Sequence, residues 1–256
     1  MATRVIEALA EMDSAGVTEL SERFDISKST IHSQLKTLQK NGFIIQKEGQ
    51  YLLSHKFLQI GEYVKQRNLL YQAGKEEIDN IAEKTGHYCH LVIEERGTGV
   101  NLYKSKGESA VGDGYQAAKS QQPDPLHVTA SGKAILSQLD RERVESIIEQ
   151  HGLSERTDQT TTDPEQLFNE LEQIREEGVA YNDEEEIEGF RAVGVPICTR
   201  HGDVLGSVSI SGPVSFLQEE TFRSEIPDLA IKTANLIEVN INMSDRSVEL
   251  VNDTKS

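Results

Sequence analysis

Apolar residues recur at helical spacing at the start of the chain. Val5, Ile6, Leu9 and Met12 lie three or four residues apart, which predicts a first helix near residues 2–13. The run Ser-Ala-Gly that follows contains poor helix formers and would end this helix.

Two more helices are predicted within the next thirty residues. Thr18 is a suitable N-cap for the second helix, on which Leu20 and Phe24 share one face. After a tight turn, Ser27 caps a third helix that is expected to end at about Lys40, before Asn-Gly.

The third helix is predicted to have one apolar face and one polar face. Ile31, Leu35 and Leu38 recur at i, i+4 and i+7 and should face a core. The polar face carries donors that suit bases and phosphates in a major groove: Ser29, Ser33, Lys36 and Lys40, with His32 at its margin. Further candidates for DNA contacts lie at the start of this helix and on the second helix: Ser27, Lys28, Thr30 and Thr18.

Two short apolar runs follow, in "FIIQKEGQYLL". They surround Glu48-Gly49 and predict a hairpin, with Lys47 near its tip as a candidate phosphate contact. Helix, helix-turn-helix and hairpin within about 55 residues is the order of a winged helix-turn-helix domain. A small helical bundle with a solvated face is the alternative for the same residues.

Residues 57–85 are predicted to be helical. Their apolar anchors are Leu58, Val64, Leu69, Leu70, Ile78 and Ile81. The segment would link two domains, although its second half could equally be a surface helix of the second one.

The pattern changes to strands from residue 86 onward. "HYCHLVIEE" and "VNLYKS", joined by a turn, predict a hairpin, and "FRAVGVPICT" and "VLGSVSISGP" predict two more strands joined by a short turn. Helices are expected near 131–138, over "DRERVESIIEQHG" and after Asp163-Pro164. Residues 107–126 should be a mobile loop, the helix of the last part should be interrupted at Pro227, and residues 243–256 should be disordered.

The charge is unevenly distributed. The 256 residues carry a formal net charge of −17, yet residues 1–56 contain seven basic and seven acidic side chains. A nucleic-acid-binding segment relieved of acidic repulsion would have this property. The acidic remainder also suits a cytoplasm of high salt, as in a halophilic archaeon. The absence of a signal peptide pattern and the two cysteines favour a cytoplasmic location.

Evidence for a metal or a catalytic group is weak. His87 and Cys89 share a strand face while His90 faces away, and no fourth ligand is evident. The acidic run of residues 183–186 could hold Mg²⁺ but is better explained as a solvated loop. No phosphate-binding glycine motif occurs, and nothing marks a lowered thiol pKa, so no cofactor, metal or catalytic residue is expected.

The segment "VTELSERFDISKSTIHSQLKTLQKNGFI" resembles the DNA-binding domain of the isocitrate-lyase-regulator (IclR) family of transcription factors. "LHVTASGKAIL", "GVAYNDEEEIEGFRAVGVPI" and "VLGSVSISGP" are similar to motifs of its effector-binding domain. The resemblance covers roughly residues 2 to 240. It implies an α+β chain: a winged helix-turn-helix domain (1–56), linker helices (57–85), a GAF-like α/β effector-binding domain (86–242) and a tail (243–256).

The resemblance also implies an effector pocket. Its residues would be Ala130, Ser131, Gly132, Asn182, Ala192, Ser209 and Ser211. Free N–H groups at the start of the helix near residue 130 favour an anion, and the two serines lie on one strand face.

The sequence departs from the family pattern at three positions. Ser33 replaces a usual arginine, Asn182 stands where an aspartate is common, and Ala192 stands where one well-known member has a cysteine. The operator and the ligand are therefore expected to differ from those of better-known members.

The predicted function is that of a ligand-responsive regulator. It would bind an operator in double-stranded DNA as a homodimer or a pair of dimers, respond to a sugar acid, hydroxy acid or sugar, and control sugar or organic-acid catabolism. Two rivals remain: an enzyme built on the GAF-like domain, and a chromosome-shaping protein that binds DNA without sequence preference. Turnover of a metabolite would identify the first, and binding without preference the second.

Overall fold

The chain forms two compact units, residues 1–67 and residues 68–256. The structure, a computed structural model, describes residues 1–112 and 124–253, with side chains described as far as residue 243. Most of the loop expected over 107–126 lies outside the described residues.

The first unit contains the elements of a winged helix-turn-helix, followed by one further helix. They are α1 (Ala2–Met12), α2 (Val17–Phe24), α3 (Lys28–Lys40), β1 (Ile44–Lys47), β2 (Gln50–Leu53) and α4 (Lys56–Gln66). The predicted fold class is confirmed for this unit.

The core of the first unit lies between its first three helices and the hairpin. Ile31, Leu35 and Leu38 of α3 are buried there, against Leu9 of α1 and Leu20 of α2. The i, i+4, i+7 spacing therefore places these residues as expected, and their burial fixes which face of α3 is left outside.

The caps of α2 and α3 differ in how well the sequence predicted them. Ser27 caps α3, because its Oγ accepts a hydrogen bond from the N–H of Thr30 at 3.3 Å. The expectation for α2 was wrong: Gly16 is its N-cap and Thr18 lies inside the helix. The carboxylate of Glu19 accepts from the N–H of Gly16 at 2.6 Å, which supplies the cap without a hydroxyl.

The hairpin of β1 and β2 turns at Glu48-Gly49. Both residues have positive φ, 53° and 84°, as a two-residue type I′ turn requires. Lys47 pairs with Gln50 across this turn, so its side chain projects at the tip of the wing.

The predicted linker segment contains two helices. α4 ends at Gln66, and α5 (Leu69–Thr85) begins after Asn68, whose Oδ1 accepts from the N–H groups of Leu70 and Tyr71. Only the second helix buries its predicted apolar anchors. Leu58 and Val64 of α4 are 70% and 61% exposed, so these two predicted anchors are not buried among the described residues.

The second unit is an antiparallel sheet with helices on both faces. Its strands are β3 (Tyr88–Glu95), β4 (Thr98–Lys106), β5 (Asp124–Pro125), β6 (Ala180–Asp183), β7 (Phe190–Cys198) and β8 (Val204–Pro213). Its helices after α5 are α6 (Ala130–Leu136), α7 (Arg141–His151), α8 (Pro164–Glu177) and α9 (Ile226–Asp253). The strand order is β5-β4-β3-β8-β7-β6.

The two faces of this sheet have different characters. On one face, apolar side chains such as Leu91, Val193, Val208 and Ile210 pack with α5 and α9 in the largest core. On the other face the same strands present small and polar side chains, over which α6 lies. The two-residue alternation of β8 produces both faces from one sequence, "SVSIS".

The last helix is longer than expected and is not interrupted at Pro227. A π-helical turn, Thr221–Glu225, leads directly into α9, which accommodates a proline that has no N–H to donate. The helix continues to Asp253, so ten residues or so of the expected tail are helical, and residues 254–256 lie outside the description. Within the described chain, no helix is both long and apolar enough to span a membrane.

Candidate functional site

One candidate surface is the exposed face of α3. Ser29, His32, Ser33, Lys36 and Lys40 are all exposed, opposite the three buried aliphatics. This is the face that the helical period predicted.

Hydroxyl groups are clustered at the start of α3. Ser27 Oγ lies 2.9 Å from both Ser29 Oγ and Thr30 Oγ1. The first turn of α3 therefore presents a connected set of donors and acceptors on an exposed surface.

Four lysines surround the same surface. Lys28, Lys36 and Lys40 lie on α3 and Lys47 lies at the wing, and all four are exposed. Among the ion pairs of the described residues, none includes any of these four lysines, so their ammonium groups are available to an external anion. Thr18, the remaining predicted DNA contact, is also exposed on α2.

A second candidate site is a cavity on the polar face of the sheet. The unfilled space in and in front of it amounts to about 470 Å³, part of which is open solvent. Six of the seven predicted effector residues line it, from four elements: Ala130, Ser131, Asn182, Ala192, Ser209 and Ser211.

Small residues on β7 make room for this cavity. Ala192 pairs with Ser211 and Gly194 pairs with Ser209, so no large side chain covers either serine from that side. At Gly194 the start of α6 lies directly on the strand, and a Cβ there would overlap the carbonyl of Ala130. The glycine thus sets how closely α6 approaches the serines.

Gly132 does not line the cavity, contrary to the expectation. Its N–H donates to Thr129 Oγ1 at 2.9 Å, the N-cap bond of α6. A Cβ at Gly132 would overlap the backbone of Leu126, so close packing explains this glycine. Of the three expected backbone donors, only those of Ala130 and Ser131 belong to cavity residues.

The amide of Asn182 makes two hydrogen bonds within the protein. Its Nδ2 donates to the carbonyl of Val128 at 2.7 Å, and its Oδ1 accepts from the N–H of Glu185 at 3.0 Å. Asn182 is 2% exposed. Its main effect is therefore to hold the loop after β6 against the segment before α6, rather than to offer a free donor to a ligand.

Sequence reasoning missed the imidazole of His90 as a cavity residue. His90 is 4% exposed and lies between Asn101 and Ser211. The two-residue alternation of β3 already placed His90 on the other face of the strand from Cys89. Only the pairing of β3 with β8, however, brings His90 beside Ser209 and Ser211.

Burial raises the pKa of Cys89 to about 12, which makes this thiol a poor nucleophile.

A buried ion cluster supports the wall of the cavity. Lys133, which is fully buried, donates to both carboxylate oxygens of Glu185 at 2.6 and 2.7 Å and to Glu170 at 2.5 Å. Burial raises the pKa of the Glu185 carboxyl, while Lys133 opposes that shift. The next two residues, Glu186 and Ile187, line the cavity, so Lys133 fixes the loop that carries them.

Comparison with known protein families decides the identity of these two units. Residues 2–48 match the IclR helix-turn-helix domain, and residues 61–239 match the bacterial transcriptional regulator IclR C-terminal domain. The chain belongs to the IclR family. It is therefore a transcriptional regulator with a DNA-binding unit, and its homologues are regulators rather than enzymes.

Similar IclR proteins occur in archaea and bacteria. The chain is 37% identical over 241 residues to ArcR of Halobacterium salinarum, named as an HTH-type transcriptional regulator, covering 94% of this chain and 92% of that protein. It is 30% identical to the HTH-type transcriptional regulator KdgR of Escherichia coli, covering 87% and 84%. The crystal structure of the Thermotoga maritima IclR protein superposes with a TM-score of 0.70 at 29% identity, covering 89% and 91%.

Proposed function

We propose that this IclR-family protein is an effector-responsive regulator that controls genes of sugar or organic-acid catabolism. It acts in the cytoplasm of a halophilic archaeon as a homodimer or a pair of dimers. The exposed face of α3 enters the major groove, and the cavity of the second unit takes a small hydroxylated ligand. A halophilic source accords with the net charge of −17 and with the Halobacterium relative.

The cavity carries this proposal. Residues from six separate elements line it, several of them with hydroxyl, amide or imidazole groups, on the face of the sheet opposite the apolar core. A cleft with a few convergent polar groups is the usual form of a small-molecule site. Ser209 and Ser211 supply hydroxyl groups, and Ala130 and Ser131 lie at the first turn of α6.

The nature of the lining supports a sugar acid or hydroxy acid as first candidate and a neutral sugar as second. The hydroxyl groups of the cavity serines can recognise the hydroxyl groups of such ligands. Arg191 also lines the cavity, but its guanidinium is bonded to Asp183 and to the carbonyl of Leu217. Recognition of a carboxylate would therefore depend on hydroxyl and N–H donors.

The four unpaired lysines of the first unit support DNA binding by α3 and the wing. Phosphates would be contacted by the lysines Lys28, Lys36, Lys40 and Lys47. They would also be contacted by hydroxyl groups at the starts of α2 and α3, those of Thr18, Ser27 and Thr30. Base edges would be read by Ser29, His32 and Ser33.

An exposed apolar face on α4 supports self-association. Ile60, Tyr63 and Val64 lie at i, i+3 and i+4 on one side of this helix and are 40%, 63% and 61% exposed. Pairing of two copies would remove this surface from water, and DNA sites with two-fold symmetry would then fit the dimer.

Genome-wide mapping of bound sites in the source cell tests the regulator. We expect discrete sites with a shared palindromic or repeated sequence beside catabolic genes. Uniform coverage of the chromosome would contradict specific regulation and would favour a chromosome-shaping role.

A thermal-shift screen of central metabolites tests the cavity. A ligand at 100 times its dissociation constant should stabilise the folded protein by about 2.7 kcal/mol and change operator affinity. The double variant Ser209→Ala plus Ser211→Ala should lose that shift, whereas the matched control Ser29→Ala plus Ser33→Ala should keep it. Equal stabilisation of the cavity variant and the parent protein would refute the assignment of the cavity.

A further inference from the structure

A row of hydrogen bonds crosses three neighbouring strands on the floor of the cavity. Asn101 Oδ1 of β4 lies 3.1 Å from His90 Nδ1 of β3, and His90 Nε2 lies 3.2 Å from Ser211 Oγ of β8. His90 is 4% exposed, so its ring is held inside the fold.

One tautomer of a neutral His90 gives each group of this row a matching partner. With the amide oxygen of Asn101 facing Nδ1 of the neutral imidazole, Nδ1 carries the hydrogen and donates it. In the neutral imidazole Nε2 is then an acceptor, and Ser211 must donate its single hydroxyl hydrogen to it. Ser211 is left with lone pairs alone for anything in the cavity.

Ser209 differs from Ser211 in this respect. It lies directly opposite His90 in the sheet and is 4% exposed, and no hydrogen-bond partner is found for its Oγ among the described residues. Its hydroxyl hydrogen is therefore available to a ligand. The two serines are two residues apart on β8, which separates them by about 6.6 Å along the strand.

We infer that His90 determines effector specificity by turning Ser211 into an acceptor beside the donor Ser209. The ligand that fits this pair carries an oxygen acceptor, such as a carboxylate, at one end and a hydroxyl donor about three carbons away. Such a ligand is a monocarboxylic hydroxy acid of the sugar-acid type. A dicarboxylate of the same length would place a second acceptor against the lone pairs of Ser211 and is rejected.

This inference rests on the proposed function of the cavity and concerns its selectivity. Three four-carbon acids form a matched set: threonate, the tartrate of matching configuration, and 4-deoxythreonate. They share the carboxylate and the two inner hydroxyls, and they differ only in whether the fourth carbon is a hydroxymethyl, a carboxylate or a methyl group.

Binding of the three acids to the full-length protein is measured by calorimetry or ligand-observed NMR. We expect threonate to bind at least about tenfold more tightly than tartrate, because the second carboxylate of tartrate meets the lone pairs of Ser211. We expect threonate to bind about threefold more tightly than 4-deoxythreonate, because the methyl group of that acid cannot donate a hydrogen bond to Ser211. In His90→Leu the hydroxyl of Ser211 is released to donate, so the preference for threonate over tartrate should fall below about threefold.

Asn101→Leu is a second variant that leaves the imidazole in place. Without the amide acceptor, Nδ1 need no longer carry the hydrogen, and the preference should fall as in His90→Leu. A merely structural role for His90 would weaken all three acids together and leave their ratio unchanged. That outcome, or tartrate binding at least as tightly as threonate to the parent protein, overturns the inference.

Ser209→Ala separates this inference from the proposed function. We expect it to weaken all three acids, since each presents a carboxylate to Ser209. If Ser209→Ala leaves threonate binding unchanged, the cavity is not the effector site and both ideas fail. If Ser209→Ala weakens binding but the two other variants keep the parent ratio, only the role of His90 is refuted.

Discussion

The two units of this protein place their functional polar groups in opposite ways. In the first unit the polar side chains of α3 are exposed, and the buried side of that helix is aliphatic. In the second unit the polar groups are themselves buried: Lys133 is fully enclosed and Ser209 is 4% exposed.

This difference is what the sizes of the two proposed partners would require. DNA is a large polyanion, and a flat exposed helix face with unpaired lysines suits it. A small molecule must be surrounded, so its ligands come from strands and helices that close around it. Polar groups brought inside must be hydrogen-bonded or paired, and the bonds of Asn182 and Lys133 meet this requirement.

The largest expected effect contrasts a buried lysine with an exposed one. Lys133→Met would leave the carboxylates of Glu185 and Glu170 without their cation, and we expect it to cost about 3–5 kcal/mol of unfolding free energy. Lys36→Met, on the exposed face of α3, should stay within about 0.5 kcal/mol. Chemical denaturation measures the unfolding free energy of both variants.

Adding Glu185→Leu to Lys133→Met provides the control. Removal of both charges should recover much of the loss, because no unpaired buried charge remains at Glu185. A cost below about 1 kcal/mol for Lys133→Met alone would mean that the cluster is far better hydrated than its burial indicates.

The next effect concerns α3 alone. Ser29→Ala, His32→Ala and Lys36→Ala should each weaken operator binding, by about 1–3 kcal/mol where the residue reads a base. Cavity variants at Ser209 and Ser211 should leave operator affinity without effector unchanged. Electrophoretic or fluorescence titration on a mapped operator measures the affinity of both sets of variants. Binding as tight as that of the parent protein by all three α3 variants would disprove the proposed placement of α3 in the major groove.

Mild acid should affect the second unit more than the first. Burial lowers the pKa of His127 below its ordinary value, and its Nε2 lies 3.1 Å from the carbonyl of Ser154. Because the unfolded chain then binds a proton more readily than the folded one, stability falls as the pH falls below about 6.5.

His127→Gln tests this origin. Glutamine retains a donor for the carbonyl of Ser154 but does not titrate, so denaturation of this variant should depend less on pH between 7 and 5.5. The raised pKa of Glu185 has the opposite effect, since it increases the stability of the folded protein as the pH falls. This contribution is the same in the parent protein and in the variant. Identical pH dependence of the variant and the parent would assign the effect to another group.

The smallest effect is the salt dependence of operator binding. Each cation that contacts a phosphate contributes about −0.9 to the slope of log K against log salt, and residues 1–56 have no net charge. We expect a shallow slope that becomes shallower by about one unit in Lys36→Ala or Lys47→Ala if that lysine binds phosphate. A steep slope that neither variant changes would show that other cations carry the contact.

Much of the first unit was predictable because its order is local. A helix repeats every 3.6 residues, so the positions of Ile31, Leu35 and Leu38 determined the exposed face without any tertiary information. The type I′ turn at Glu48-Gly49 is local as well. The cap at Thr18 failed because α2 begins earlier, at Gly16, whose N–H donates to the carboxylate of Glu19.

The cavity was predictable only in part. Family resemblance supplied six of its residues, and strand alternation placed Ser209 and Ser211 on one face. The roles were not predictable: Asn182 is bonded to Val128, 54 residues away in sequence, and Gly132 serves packing against Leu126.

The sequence by itself determined the two units, the face of α3 that is available to DNA, and the alternation that gives the sheet one apolar and one polar side. These features depend on neighbours a few residues apart, and local periodicity encodes them. Only the tertiary structure decided that His90 lies between Asn101 and Ser211, and that Lys133 is enclosed by Glu170 and Glu185. Contacts between residues 11 to 121 positions apart depend on strand order and helix placement, which no local pattern specifies.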